Sequence, residues 1–122
     1  MKGKILVADD DEGIVDALQM VLEDANYEVQ TTTDGYTVRQ VNKHLPDVIL
    51  LDIWMSGEDG RDICRYLKSK QATKNIPIIM ISATSDLAQS AKAAGADDFL
   101  PKPFQMEHLL EKVEKYMKLV DA

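Results

Sequence analysis

The sequence predicts an α/β protein with one parallel sheet that is covered by helices on both faces. Three observations lead to this fold class: short apolar runs, helical hydrophobic patterns, and the regular alternation of the two along 122 residues. Short runs that are continuously apolar are typical of strands buried on both faces. Strands that alternate with helices imply right-handed crossovers and a doubly wound sheet. The length suits one domain, so we expect residues 1–122 to form a single domain.

Five segments have the composition of strands. Residues 5–8, 48–51 and 76–81 are almost entirely aliphatic, and residues 98–100 form a shorter candidate. Residues 27–33 alternate between apolar and polar side chains, which is typical of a strand at the edge of a sheet.

A helical pattern follows each of these strands. The predicted helices span residues 13–26, 36–44, 62–69, 86–94 and 105–120. Apolar residues recur there at intervals of three and four, and the fourth segment is rich in alanine. Gly95 follows the fourth segment, at the position where a left-handed glycine often ends a helix. The chain therefore reads as five strand–helix pairs.

Composition and charge disfavour several classes of function. A net charge of −7 argues against direct binding to nucleic acid, which needs a basic patch, and against docking on an anionic membrane. The single cysteine, Cys64, has no internal partner for a disulfide. No apolar run approaches the roughly 18 residues of a membrane span. We therefore expect a cytoplasmic protein.

The residues that directly follow the strands are the candidates for a functional site. Asp9 and Asp10 follow the first strand, Asp52 the third, Ser82 the fourth and Lys102 the fifth. Each of these residues alone is also typical of a helix cap, a turn or the surface. In a doubly wound sheet, however, ligands bind beyond the carboxyl ends of the strands. We therefore expect several carboxylates, a hydroxyl and an ammonium group to share one site.

Such a site suits the transfer of a phosphoryl group to a carboxylate. Crowded carboxylates repel one another unless a cation enters, and hard oxygen ligands favour Mg²⁺. An aspartate can accept a phosphoryl group as an acyl phosphate, whose oxygens a metal ion, a lysine and a hydroxyl would neutralise. The site chemistry therefore indicates that one of these aspartates could accept a phosphoryl group.

Six motifs occur in a fixed order along the chain. They are Asp9-Asp10, Asp52, Asp59-Gly60, Ser82-Ala83, the stretch 94–99 that ends in Phe99, and Lys102-Pro103-Phe104. With these motifs, essentially the whole sequence resembles the response-regulator receiver domain of two-component signalling. The resemblance implies a flavodoxin-like (βα)5 fold whose five-stranded parallel sheet has the strand order 2-1-3-4-5.

The resemblance also implies a separate role for each acidic residue and for Lys102. Asp52 would accept the phosphoryl group. Asp10, Asp52 and the backbone carbonyl of Trp54 would bind Mg²⁺ directly, and Asp9 would hold the ion through water. Lys102 would pair with an oxygen of the phosphoryl group.

Further roles follow from the same resemblance. Ser82 would bond another phosphoryl oxygen, and Phe99 would be the aromatic switch that changes rotamer when Ser82 moves. Trp54 and Thr84 would flank the path of the hydrolytic water and tune the lifetime of the phosphoryl group. The peptide bond Lys102–Pro103 would be cis.

The sequence departs from the family pattern at several positions. Ser56 stands where the family usually has proline, Ser82 replaces the commoner threonine, and Phe99 replaces the commoner tyrosine. The stretch from Ser82 to Gly95 is also shorter than usual, which predicts a short fourth helix.

The leading hypothesis is a signalling switch controlled by phosphorylation. A phosphohistidine of a sensor histidine kinase or of a histidine phosphotransfer protein would donate its phosphoryl group to Asp52. The surface formed by the fourth helix, fifth strand and fifth helix would then change toward a downstream effector or an output domain. The chain would catalyse only its own phosphorylation and dephosphorylation, so it would not be a conventional enzyme. It would be a monomer or a weak, phosphorylation-dependent dimer.

Two alternatives use the same residues. A Mg²⁺-dependent aspartyl-phosphate hydrolase would share the nucleophile, but it normally needs a second carboxylate two residues later, where Trp54 stands. A pure binding module would keep the acidic site without phosphorylation. The joint presence of the acids with Ser82 and Lys102 makes the signalling switch the better interpretation.

Overall fold

The computed structural model describes residues 2–41 and 45–121. Its main sheet has five strands, which are β1 (Lys4–Ala8), β2 (Glu28–Thr32), β3 (Val48–Asp52), β4 (Ile78–Ser82) and β5 (Asp98–Pro101). All neighbouring strands are parallel, and their order is β2-β1-β3-β4-β5. This order is the predicted 2-1-3-4-5, so the doubly wound fold is confirmed. The strand with the alternating pattern, β2, lies at the edge.

Among the described residues, five helices connect and cover the strands. They are α1 (Glu12–Asp24), α2 (Gly35–Arg39), α3 (Gly60–Ser69), α4 (Leu87–Ala94) and α5 (Met106–Asp121). Helix α4 is short, as predicted, and Gly95 ends it with a left-handed φ of 85°. Within the described part of the chain, no helix is both long and apolar enough to cross a membrane.

Helix α2 is shorter than the predicted span of 36–44. It ends at Arg39, because the N–H of Gln40 bonds the carbonyl of Thr37 in a tight closing turn. The final residues of the predicted span, 42–44 with His44, lie outside the described residues. The prediction was wrong here because two apolar residues, Val38 and Val41, were extended into a full helical pattern.

Two apolar clusters cover the two faces of the sheet. Strand β3 contributes Ile49 and Leu51 to the cluster under α2, α3 and α4. It contributes Val48 and Leu50 to the cluster under α1 and α5. All five residues of β3 are buried, which explains why its sequence is a continuous apolar run that ends in an acid. This packing brings Asp52 to the carboxyl edge of the sheet.

A short hairpin follows β3 and was not predicted. Its strands, Trp54–Met55 and Glu58–Asp59, pair in an antiparallel manner, with Trp54 opposite Asp59. A Cβ at the next residue, Gly60, would collide with the backbone carbonyl oxygen of Asp52. The glycine therefore lets the start of α3 lie directly against the end of β3.

Candidate functional site

The predicted strand-end residues meet at one edge of the sheet. A cleft of about 470 Å³ opens there between the ends of β1, β3 and β4. It is lined by Asp10, Asp11, Asp52, Trp54, Ser82, Ala83, Thr84 and Lys102. Asp9 is fully buried beside the cleft and contacts Lys102. The structure thus brings together the predicted acids, the hydroxyls and the ammonium group.

Asp52 is a buried carboxylate with few hydrogen bonds. It is the last residue of β3 and is only 5 % exposed. The N–H of Trp54 donates to its Oδ1 at 3.4 Å, and the Nζ of Lys102 lies 3.4 Å from its Oδ2. Burial and the negative charge of Asp9 raise the pKa of Asp52 to about 6, although Lys102 acts in the opposite direction.

Lys102 bridges two of the three acids. Its Nζ donates to Oδ2 of Asp9 at 2.8 Å and to Oδ2 of Asp52 at 3.4 Å. Burial alone would lower the pKa of Lys102, but the bonds and charges of the two carboxylates outweigh it and raise that pKa. The backbone N–H of Lys102 donates to the carbonyl of Ser82, and the Lys102–Pro103 bond is cis, as expected.

Three carboxylates form a cluster that fits a hard cation. One oxygen each from Asp9, Asp10 and Asp52 lies within 4.8 Å of the others. Asp9 is buried and its Oδ1 accepts the N–H of Asp11 at 3.0 Å, whereas Asp10 is exposed to the cleft. Three carboxylates exceed the charge of the Lys102 ammonium, so the cluster keeps negative charge. Oxygen donors, excess charge and access to water are what Mg²⁺ requires.

Ser82 and Thr84 present two hydroxyls to the cleft. The Oγ of Ser82 and the Oγ1 of Thr84 share a hydrogen bond of 2.8 Å, and the N–H of Thr84 donates to Oγ of Ser82 at 3.2 Å. Ser82 is buried at the end of β4, whereas Thr84 is partly exposed. Ser82 therefore bonds to Thr84 in this structure, and its predicted contact with a phosphoryl oxygen stays a prediction.

Phe99 does not line the cleft. It is half-buried in β5 and packs on the apolar cluster under α4. It lines a separate cavity of about 330 Å³ together with Ala88, Ala91 and other residues of α4 and the β5 edge. The Nζ of Lys112, in α5, lies 6.0 Å from its ring centroid. Phe99 thus contacts the side of the molecule that was predicted to change, and its role as a switch stays a prediction.

Two residues outside the predicted set of site residues shape the site. Asp11 caps α1 through the N–H groups of Gly13 and Ile14, and its own N–H holds Asp9. Its position directly before a helical pattern was a usable signal for such a cap. Arg61 lies with its guanidinium 5.4 Å from the ring centroid of Trp54. No local pattern indicates that contact, because it depends on the hairpin after β3.

Comparisons with known proteins agree with this architecture. The family model of the response regulator receiver domain matches residues 5–114. The DNA-binding dual master transcriptional regulator RpaA of Synechocystis sp. is 35 % identical over 121 residues. The match covers 97 % of this chain and 50 % of that protein, so the chain spans about half the length of this relative.

Solved structures show the same fold. A putative response regulator from Chloroflexus aurantiacus superimposes with a TM-score of 0.88 at 33 % identity, over 95 % of this chain and 98 % of that one. The receiver domain of the sensor histidine kinase PA1611 from Pseudomonas aeruginosa, described with a magnesium ion in its active-site cleft, gives a TM-score of 0.86 at 23 % identity, over 95 % and 98 % of the two chains. The matched family, the confirmed strand order and the acidic cleft together show that this chain belongs to the response-regulator receiver family of two-component signalling.

Proposed function

We propose that this chain is a Mg²⁺-dependent switch in which Asp52 accepts a phosphoryl group from a partner's phosphohistidine. The observation that carries the proposal is the pairing of a buried acceptor, Asp52, with Lys102 inside a cleft that also holds Asp9 and Asp10. A buried carboxylate beside an ammonium group is poised to act as a nucleophile toward an anionic phosphoryl group.

Asp10 and Asp52 would bind Mg²⁺ directly with the carbonyl of Trp54, and Asp9 would hold it through water. When bound, the ion neutralises negative charge on the oxygens of the transferred group. Lys102 would supply a second positive charge, and its bonds to Asp9 and Asp52 already hold its ammonium group near the acceptor.

The transfer exchanges one bond to phosphorus for another. An oxygen of the ionised Asp52 carboxylate bonds to phosphorus as the bond between phosphorus and the partner's histidine nitrogen breaks. The nitrogen keeps the bonding electron pair and takes a proton from solvent. Lys102 then pairs with a phosphoryl oxygen, and Ser82 exchanges its bond to Thr84 for a bond to another phosphoryl oxygen.

The signal would leave the site through Phe99. A shift of Ser82 toward the phosphoryl group would open space for the half-buried Phe99 ring, which already contacts the cavity beside α4. The surface of α4, β5 and α5 would change its population between two states and bind a downstream effector or an output domain. The donor would be a sensor histidine kinase or a histidine phosphotransfer protein.

The chain would catalyse only its own phosphorylation and dephosphorylation. A cytoplasmic location, and a monomer or a weak phosphorylation-dependent dimer, belong to the same proposal. The competing hydrolase hypothesis lacks its second carboxylate, since Trp54 occupies the position two residues after Asp52.

The mass of the intact protein tests the proposal. We expect incubation with acetyl phosphate and Mg²⁺ to add one phosphoryl group to the wild-type chain and none to Asp52→Asn. Asp62→Asn is the matched control, because Asp62 is an exposed acid of α3 that pairs with Arg65 away from the cleft. An adduct that persists in Asp52→Asn, or none at any Mg²⁺ concentration, would refute the proposal. Rapid turnover of ordinary phosphate monoesters would favour the hydrolase.

A further inference from the structure

Trp54 is the largest side chain that lines the acceptor cleft. It follows Asp52 by two residues, and its N–H donates to the acceptor carboxylate. The side chain is nevertheless exposed, at 55 %, and it stands on a strand of only two residues. The apolar core therefore does not hold the indole, but one other side chain contacts its ring.

That contact is the guanidinium of Arg61, whose centre lies 5.4 Å from the Trp54 ring centroid. Asp59 fixes the guanidinium, since Nε of Arg61 donates to Oδ1 at 3.0 Å and Nη2 donates to Oδ2 at 2.7 Å. Two parallel bonds between a guanidinium and a carboxylate set the plane as well as the place of the cation. A cation held in this way is attracted to the face of an indole.

Backbone contacts also link Trp54, Asp59 and Arg61. Trp54 and Asp59 are opposite each other in the hairpin, and Asp59 also caps α3 by accepting the N–H of Arg61 at 2.8 Å. On its far side, Nη1 of Arg61 lies 3.5 Å from Oγ of Ser90 in α4. The side chains of Arg61 and Asp59 are 28 % and 27 % exposed, so the pair is partly shielded from solvent.

From this geometry we infer that Arg61 is a positioning residue that holds the Trp54 indole at the mouth of the cleft and so lengthens the lifetime of phosphorylated Asp52. The inference rests on the proposed function and adds a regulator of the same site. Hydrolysis ends the signal when a water oxygen bonds to phosphorus and the bond to the Asp52 oxygen breaks. The products are the free carboxylate and dihydrogen phosphate, which keeps both protons of the water. An indole held over the cleft leaves less room for that water.

The first test compares phosphoryl lifetimes. The protein is phosphorylated with acetyl phosphate and Mg²⁺, the donor is removed, and the loss of the adduct is followed by mass. We expect Arg61→Met to shorten the lifetime roughly two- to fivefold, the range expected for a partly exposed cation–π contact. Arg61→Lys, which keeps the cation, should restore part of the lifetime. Arg65→Met is the matched control, since Arg65 lies one turn further along α3 and pairs with Asp62.

A double variant shows whether Arg61 acts through Trp54. Trp54→Asn should shorten the lifetime by itself, and Arg61→Met should then add little in the Trp54→Asn background. An undiminished effect of Arg61→Met in that background would overturn the inference, because Arg61 would then act by another route. Equal lifetimes for wild type and Arg61→Met would also overturn it.

Fluorescence gives a readout that does not require phosphorylation. Trp54 is the only tryptophan in the sequence, so its emission reports this indole alone. We expect Arg61→Met to raise acrylamide quenching of Trp54 and to lower its anisotropy, with no such change in Arg65→Met. Unchanged quenching would refute the positioning role even if the lifetime fell. A wild-type chain that never acquires the adduct would instead refute the proposed function and the regulatory role, while the fluorescence would still show whether Arg61 holds the indole.

Discussion

The Nζ of Lys102 lies 2.8 Å from Oδ2 of Asp9 and 3.4 Å from Oδ2 of Asp52, so one ammonium group serves two buried carboxylates that are 43 residues apart in the chain. The shorter bond goes to Asp9, and Asp52 therefore receives less compensation for its burial. This imbalance leaves the acceptor site short of positive charge in the absence of a metal ion.

Asp52 should destabilise the metal-free protein at neutral pH. Because its pKa is raised from 3.8 to about 6 in the folded state, ionisation of Asp52 opposes folding. The penalty is absent below about pH 4, grows as the pH rises, and is complete above about pH 6. We expect Asp52→Asn to raise the free energy of unfolding in EDTA at pH 7.5 by on the order of 2–3 kcal/mol.

Urea unfolding at two pH values tests whether the stabilisation by Asp52→Asn falls as the pH is lowered. The stabilisation by Asp52→Asn should shrink to roughly a third at pH 4.5, where folded Asp52 is already protonated. Asp62→Asn, at an exposed position, should show no comparable pH dependence. A gain that grows toward acid pH would contradict the raised pKa.

Mg²⁺ should stabilise the wild-type chain. An ion that binds the folded cluster and not the unfolded chain raises the free energy of unfolding by about 2.7 kcal/mol at one hundred times its Kd. Asp10→Asn should remove most of this gain, because Asp10 is the acid of the cluster that is exposed to the cleft. Thermal unfolding at increasing Mg²⁺ concentration measures the effect, with Asp16→Asn, an exposed acid of α1, as the control. Equal gains in Asp10→Asn and wild type would show that the ion binds elsewhere.

Lys102→Met should slow phosphorylation. The substitution keeps an unbranched side chain but removes the charge that pairs with the phosphoryl oxygens. We expect the rate of adduct formation with acetyl phosphate to fall about a hundredfold, the usual effect of losing one such donor. Lys92→Met, at an exposed position of α4, should leave the rate unchanged. A rate within a factor of about two of wild type would rule out a direct role for Lys102.

Gly60→Ala should be strongly destabilising. The added methyl group would meet the backbone carbonyl of Asp52, which cannot rotate away as a flexible side chain would. We expect a loss of about 2–4 kcal/mol in the free energy of unfolding, or a displaced acceptor with slower phosphorylation. Gly13→Ala is the matched control, since its Cβ would meet only an oxygen of the Asp11 side chain at 3.3 Å. Equal stability of the two variants would show that the hairpin moves aside.

The parallel α/β class and the residues of the acidic site were predictable from the sequence pattern, whereas the order of the strands was predicted from the family resemblance. Strands that are buried on both faces need continuous apolar runs. Asp9, Asp52 and Ser82 directly follow three of these runs. Parallel strands place their carboxyl ends at one edge, so the positions of these residues along the chain already imply that they meet. The length of α2 was not predictable in the same way, because its short apolar pattern continues past the turn at which the helix ends.

Which groups touch at that edge depends on the tertiary structure. The sequence could place Lys102 near the acids, but not show that its shorter bond goes to Asp9 rather than to Asp52. It likewise contained no sign of the stack of Arg61 on Trp54. Hydrophobic periodicity reports the face on which a residue lies, whereas these contacts depend on how side chains from separate segments fill one cleft. Hydrophobic pattern and strand-end residues therefore predict the fold class and the chemical groups at the site, whereas the packing of side chains sets how those groups are paired.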